Sequence, residues 1–213
     1  MRPAAPAVLL LLAACSRGAA PEAKAAAAPP APVALFVGDS LTAGYGVDPE
    51  DAWPSLLDAS WRKQGLSWRA RDAAVSGAAS AGLPEQVAWA LTPDVKLVFI
   101  CIGANDGLRG LPLAAMKRNI DAVIAGVQKR GVRVALAGMR IPPNFGATRE
   151  RAFAAVFPKI ARERNVPFLP FLLEGVAADP ALNQDDGLHP NAAGHRRVAA
   201  SVAAFLDREG LLK

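Results

Sequence analysis

Only two histidines, His189 and His195, occur in the 213 residues, so a search for base-assisted chemistry is short. A serine hydroxyl becomes an effective nucleophile only when a neighbouring base takes its proton. Ser40, in Gly38-Asp39-Ser40-Leu41, directly follows an apolar run, where a tight turn would present its hydroxyl at the end of a strand. Asp186 lies three residues before His189 in Asp185-Asp186-Gly187-Leu188-His189-Pro190. In such a Gly- and Pro-containing loop the carboxylate can turn back onto the imidazole, fix its tautomer and leave Nε2 facing a serine. The candidate catalytic residues are therefore Ser40, Asp186 and His189. Acyl transfer also builds a negative oxygen that needs aimed donors. The Ser40 amide, the N–H of Gly77 (no side chain obstructs its approach) and the Asn105 carboxamide of Gly103-Ala104-Asn105-Asp106 are the candidates.

These residues are positioned by alternating apolar runs and amphipathic helical patterns. Strands are expected over 33–37, 67–73, 95–102, 132–137 and 166–169, and helices over 53–64, 84–91, 112–130, 148–165 and 191–209. Strands apolar on both faces, separated by helices long enough for crossovers, indicate an α/β protein with a parallel sheet covered on both sides, a three-layer α/β/α sandwich. In such sheets ligands bind beyond the carboxyl ends of the strands. That is where Ser40, Gly77 and Asn105 fall.

Taken in order, Gly38-Asp39-Ser40-Leu41, Gly77, Gly103-Ala104-Asn105-Asp106 and Asp186-Gly187-Leu188-His189 resemble the four blocks of the SGNH (GDSL) hydrolases, over essentially all of residues 33–212. The chain is more similar still to the bacterial multifunctional thioesterase/lysophospholipase branch, often labelled arylesterase. Ala52-Trp53-Pro54-Ser55-Leu56-Leu57, Asn105-Asp106-Gly107-Leu108-Arg109-Gly110, Arg140-Ile141-Pro142-Pro143-Asn144-Phe145-Gly146 and Asp185-Asp186-Gly187-Leu188-His189-Pro190-Asn191 carry that likeness. The resemblance implies Ser40 as nucleophile, His189 as base, Asp186 as its orienting acid, and Ser40 N–H, Gly77 N–H and Asn105 as oxyanion donors. It also implies a five-stranded sheet ordered 2-1-3-4-5, no cofactor, no metal, and an acyl ester, thioester or lysophospholipid as substrate. The second block departs from the family pattern: Asp72 stands where many members have Asn, and Ala78-Ala79 where many have a polar Asp or Thr pair.

Other residues receive quieter assignments. Pro142, Pro143, Asn144 and Phe145 are expected to wall or cover the substrate pocket. Asp39 and Asp106 are expected to hold loop amides, Cys101 to pack, His195 to be structural or at the surface, and Tyr45 and Trp53 to touch substrate or pack in the core or at the rim. Ala78-Ala79-Ser80-Ala81-Gly82 approximates a G-x-S-x-G nucleophile elbow, but that reading leaves the Ser40 turn and Asn105 unexplained. If neutral His189 is the base, activity is expected to rise with pH through roughly 6 to 7, the ordinary imidazole range. Two rival functions remain at this stage: a carbohydrate O-acetyl esterase of the cell envelope, and an envelope-tethered binding lipoprotein without catalysis.

The first 32 residues hold 13 Ala and 6 Pro, too little variety to build a core. Residues 1–14 are expected to be a lipoprotein-type signal peptide, with Arg2 followed by a 12-residue uncharged run too short to span a bilayer. Residues 15–32 would then be a lipidated Cys15 and a tether, and 33–213 the catalytic domain. The expected location is the cell envelope, facing the periplasm, with the outer membrane favoured. Two of the five net positive charges lie in this leader. The remaining Lys and Arg residues are scattered without an aromatic stripe, which argues against a nucleic-acid partner.

Overall fold

The computed structural model describes Met1 and residues 30–213. The expected leader, Cys15 and most of the tether therefore lie outside the described residues.

Five strands, β1 (Val33–Gly38), β2 (Arg69–Asp72), β3 (Val95–Cys101), β4 (Arg133–Ala137) and β5 (Phe168–Leu169), form one sheet in the order 2-1-3-4-5. Every pairing is parallel. β1 is buried along all six residues, as a strand covered on both faces must be. The chain enters through Pro32, whose carbonyl accepts the Arg69 N–H at 2.9 Å, and leaves β1 at Gly38, beside Cys101 of β3.

The helices are α1 (Ser40–Ala43), α2 (Trp53–Lys63), α3 (Leu83–Ala90), α4 (Ala104–Leu108), α5 (Leu113–Lys129), α6 (Ala147–Arg164) and α7 (Ala192–Arg208). On one face α2 packs with α7, while α3, α5 and α6 share the other. Phe36, Trp53, Phe99 and Phe205 fill the first interface, with ring centroids 4.9–6.0 Å apart. Phe153 and Phe157, 5.3 Å apart, anchor the second. Edge strand β2 is shielded in part by Asp58 of α2, whose Oδ1 accepts the Ala70 N–H at 2.9 Å.

Two helices were not legible as such. α1 and α4 are single turns that begin two residues past β1 and three past β3, in segments whose Gly content reads as loop. β5 is shorter than the apolar run predicts. Pro167 can donate no ladder hydrogen bond and contributes only its carbonyl, to the Leu136 N–H.

The end of β1 tolerates no side chain. A Cβ on Gly38 would lie 2.2 Å from the Cys101 carbonyl oxygen and 2.8 Å from Thr42 Oγ1, and the first of these is the main chain of the neighbouring strand. Gly38→Ala is expected to lower the unfolding free energy by about 3 kcal/mol, measured by urea denaturation. An unchanged midpoint would mean that β1 and β3 part there at little cost.

Candidate active site

The order 2-1-3-4-5 puts β1 between β2 and β3, so the turns that follow these three strands share one rim of the sheet. Ser40 follows β1, Gly77 follows β2 and Asn105 follows β3. Asp39 caps the Ser40 turn, its Oδ1 accepting the Leu41 N–H at 3.1 Å, and Gly44 closes α1 in the left-handed conformation (φ 72°).

The loop before α7 brings the remaining members. His189 Nε2 lies 2.9 Å from Ser40 Oγ, and His189 Nδ1 lies 2.6 Å from Asp186 Oδ2. With Nδ1 protonated, the ring donates to Asp186 and accepts from the Ser40 hydroxyl. Asp186 Oδ1 also accepts the backbone N–H groups of Leu188 (2.9 Å) and His189 (3.0 Å). Partial burial pushes its carboxyl up, but the His189 N–H, the His189 ring and the Leu188 N–H together hold it down at about 2. It is therefore an anion throughout the range in which an imidazole titrates.

In the loop after β2, Gly77 adopts φ 80°, a conformation open to glycine and strained for other residues. Its N–H donates to no group among the described residues. The loop is held by its carbonyls: Arg109 donates to Gly77 O at 2.9 Å and Asn105 Nδ2 to Ala78 O at 3.0 Å. The second Nδ2 hydrogen of Asn105 is left for another acceptor. This accounts for the altered block, since main-chain atoms at residues 77 and 78 do the holding. Asp72 likewise acts as an acceptor, for the Ala74 N–H at 2.8 Å, a task an Asn oxygen also performs.

Ser80 is fully buried, and its hydroxyl donates to Asp106 Oδ1 at 2.6 Å while accepting from Asn119 Nδ2 at 3.0 Å. The Ser80 N–H reaches the other Asp106 oxygen at 2.7 Å. Ser80 and Asp106 thus tie the Gly77 loop to α4, and the Ser80 hydroxyl is taken up in that tie. His195 is buried, which lowers its pKa to about 4, and its Nδ1 accepts the Trp53 N–H at 3.3 Å. It supplies the cap that Ala52 cannot give α2. Trp53 in turn donates Nε1–H to Leu41 O at 3.0 Å, anchoring the turn after Ser40.

Tyr45 stands at the rim, its ring 4.8 Å from that of His189. Among Pro142, Pro143, Asn144 and Phe145, Phe145 lines a cavity of about 400 Å³ with Leu113, Gly146, Ala147, Thr148, Arg149 and Ala152. The triad is not part of that lining. Sequence reasoning missed Gln86, which grips the end of β1 by accepting the Gly38 N–H at 3.0 Å and donating to Gly38 O at 2.9 Å. A glutamine on a helix carries no pattern that announces such a clamp. It also missed Gln184, whose amide reaches the Tyr45 carbonyl.

Asp39 offers a test of this turn. It is fully buried, and desolvation raises its pKa to about 7, against the pull of the Leu41 and Ala104 N–H groups and the His189 ring; nearby Asp106 adds to the rise. Below its ordinary value of 3.8 the carboxyl is neutral in folded and unfolded chains alike. Between that value and about 7 the unfolded chain ionises while the folded chain keeps its proton, so the stability present at low pH is lost as pH climbs to about 7. Asp39→Asn removes that dependence. Its stability relative to the parent is expected to climb by about 4 kcal/mol between pH 4 and 8, read from urea unfolding at each pH. A difference constant with pH would show that Asp39 does not resist ionisation.

Residues 36–197 match the GDSL-like lipase/acylhydrolase family. The chain belongs to that family. Among relatives, it is 38% identical over 176 residues to an arylesterase of Vibrio mimicus, covering 81% of this chain and 86% of that protein. It is 36% identical over 158 residues to thioesterase 1/protease 1/lysophospholipase L1 of Escherichia coli (strain K12), covering 74% of each. The crystal structure of TesA superposes with a TM-score of 0.76 at 33% identity, over 83% of this chain and 98% of that one. As a member of this acylhydrolase family the chain is an enzyme, a serine hydrolase on the three-layer α/β fold described above.

Proposed function

We propose that this GDSL-family hydrolase cleaves carboxylic and thiol esters through an acyl-enzyme on Ser40. The observation that carries the reading is the unbroken chain Ser40 Oγ, His189 Nε2, His189 Nδ1, Asp186 Oδ2, with links of 2.9 and 2.6 Å. Ser40 Oγ bonds to the substrate carbonyl carbon while its proton passes to His189 Nε2. The carbonyl oxygen becomes an anion facing the Ser40 and Gly77 N–H groups and the Asn105 amide. The bond to the leaving oxygen or sulfur then breaks, and the leaving group takes the proton from Nε2. Water repeats the sequence: it gives a proton to His189, attacks the acyl carbon, and releases the acid as the proton returns to Ser40 Oγ. Asp186, anionic throughout, steadies the imidazolium formed in each half.

Arylesterase and thioesterase/lysophospholipase relatives support aryl esters, acyl thioesters and lysophospholipids as the classes to assay. The leader composition supports a periplasm-facing envelope protein anchored by lipid on Cys15. Mass spectrometry of the purified chain tests that anchor: it predicts diacylated Cys15 as the first residue, and a chain beginning elsewhere without lipid excludes it.

The activity is tested on protein beginning near residue 30, with p-nitrophenyl esters, acyl thioesters and lysophospholipids of graded chain length, alongside a fluorophosphonate probe mapped by peptide mass spectrometry. Turnover of at least one ester class and a single adduct on Ser40 are expected. Activity on acetylated glycans alone would move the reading to a carbohydrate esterase. An unlabelled, inactive chain would leave only a binding role.

A further inference from the structure

We infer that Gln184 is a positioning residue that sets the separation of Ser40 and His189 by strapping the two catalytic loops together. The inference rests on the Ser40–His189 assignment above and concerns how that pair is held.

The two loops come from opposite ends of the chain. Tyr45, in the loop after α1, donates its N–H to the Ser40 carbonyl at 3.2 Å. The Tyr45 carbonyl then accepts one Nε2 hydrogen of Gln184 at 2.7 Å, and the Pro190 carbonyl, next to His189, accepts the other at 2.9 Å. The main chain of Gln184 belongs to the His189 loop as well: its N–H donates to His189 O at 2.8 Å and its carbonyl accepts the Gly187 N–H at 2.9 Å. Ser40, Tyr45, Gln184 and His189 thus form a closed ring of contacts, completed by the Ser40–His189 hydrogen bond itself. Among the described residues, Gln184 to Tyr45 is the one other hydrogen bond between these two loops.

The chemistry selects a carboxamide. Two carbonyls must be met by two hydrogens on one atom, which Nε2 provides and a carboxylate of the same shape does not. Gly46 makes room for the side chain, because a Cβ there would lie 2.1 Å from Gln184 Oε1. The missing side chain leaves the space in which the amide sits.

A base and nucleophile displaced by about 1 Å lose on the order of 10² in rate, while ground-state binding is largely unaffected. Gln184→Glu keeps the volume and turns both donors into repulsion. Its kcat on p-nitrophenyl acetate, counted per fluorophosphonate-titrated site, is expected to fall about ten- to hundred-fold with KM within about threefold. Gln184→Ala, which removes the strap without adding repulsion, is expected to show a smaller kcat-selective loss of the same kind. Per-site kcat unchanged in Gln184→Glu overturns the strap. So does a loss confined to the number of titratable sites, which marks a fold defect. A parent protein that does not label at Ser40 would instead overturn the active-site assignment beneath it.

Discussion

Ser40→Ala is expected to lower ester turnover by at least about 10⁴-fold while leaving the unfolding midpoint nearly unchanged. The side chain at residue 40 is partly open to solvent, and its one described side-chain bond is to His189, so its removal orphans little. The mechanism, by contrast, loses the atom that becomes acylated. Ser80→Ala should do the opposite. It strips a buried donor from Asp106 and an acceptor from Asn119, and is expected to cost about 2 kcal/mol of stability while retaining turnover within about tenfold of the parent. Both proteins are read with the same aryl ester and the same urea titration. Turnover surviving in Ser40→Ala and vanishing in Ser80→Ala would reverse the assignment of nucleophile.

The second large effect is expected from Asp186→Asn, and the geometry explains why so small a change matters. The Oδ1 atom of Asp186 is occupied by two backbone N–H groups, of Leu188 and His189. An asparagine keeps its oxygen there, which turns its NH₂ toward His189 Nδ1. That nitrogen must then become an acceptor, the ring proton moves to Nε2, and the imidazole presents a donor where Ser40 needs a base. A loss of about 10⁴ in kcat follows from this tautomer reversal, with KM and the fold preserved. Asp186→Ala frees the ring to choose its tautomer and is expected to lose less than Asp186→Asn. If Asn proved the better substitute, the carboxylate would be acting through packing alone.

How far the amino-acid sequence reveals this site depends on what each residue does. Ser40, Asp186 and His189 were legible because two histidines leave little choice, and because a carboxylate three residues from an imidazole is a local signal. Strands β1, β3 and β4 were legible because, unlike β2 (Arg69-Ala70-Arg71-Asp72 at the sheet edge), they are largely apolar on both faces. The single-turn helices α1 and α4 were not. Their Gly-Asp-Ser and Gly-Ala-Asn starts read as loop, although Asp39 and Gly44 are the cap residues that the Ser40 turn requires. Gln86 and Gln184 were illegible for a different reason: each acts on main-chain atoms 48 or 139 residues away, and a carbonyl leaves no trace in a residue's type. His195 could be set aside as structural or surface, yet its burial and its capping of α2 depend on the register between α2 and α7, which emerges only when the chain is folded.

The direction of β1 has a practical consequence. Pro32 and Ser40 stand at opposite ends of one six-residue buried strand, which at about 3.3 Å per residue separates them by about 20 Å through the body of the protein. A bead, sensor chip or fusion partner coupled ahead of Pro32 therefore grips the molecule from behind, with the reactive mouth turned to the bulk liquid. Immobilised that way, the hydrolase should keep its rate on bulky dissolved esters, whereas coupling through the Tyr45 rim would seat the mouth against the support.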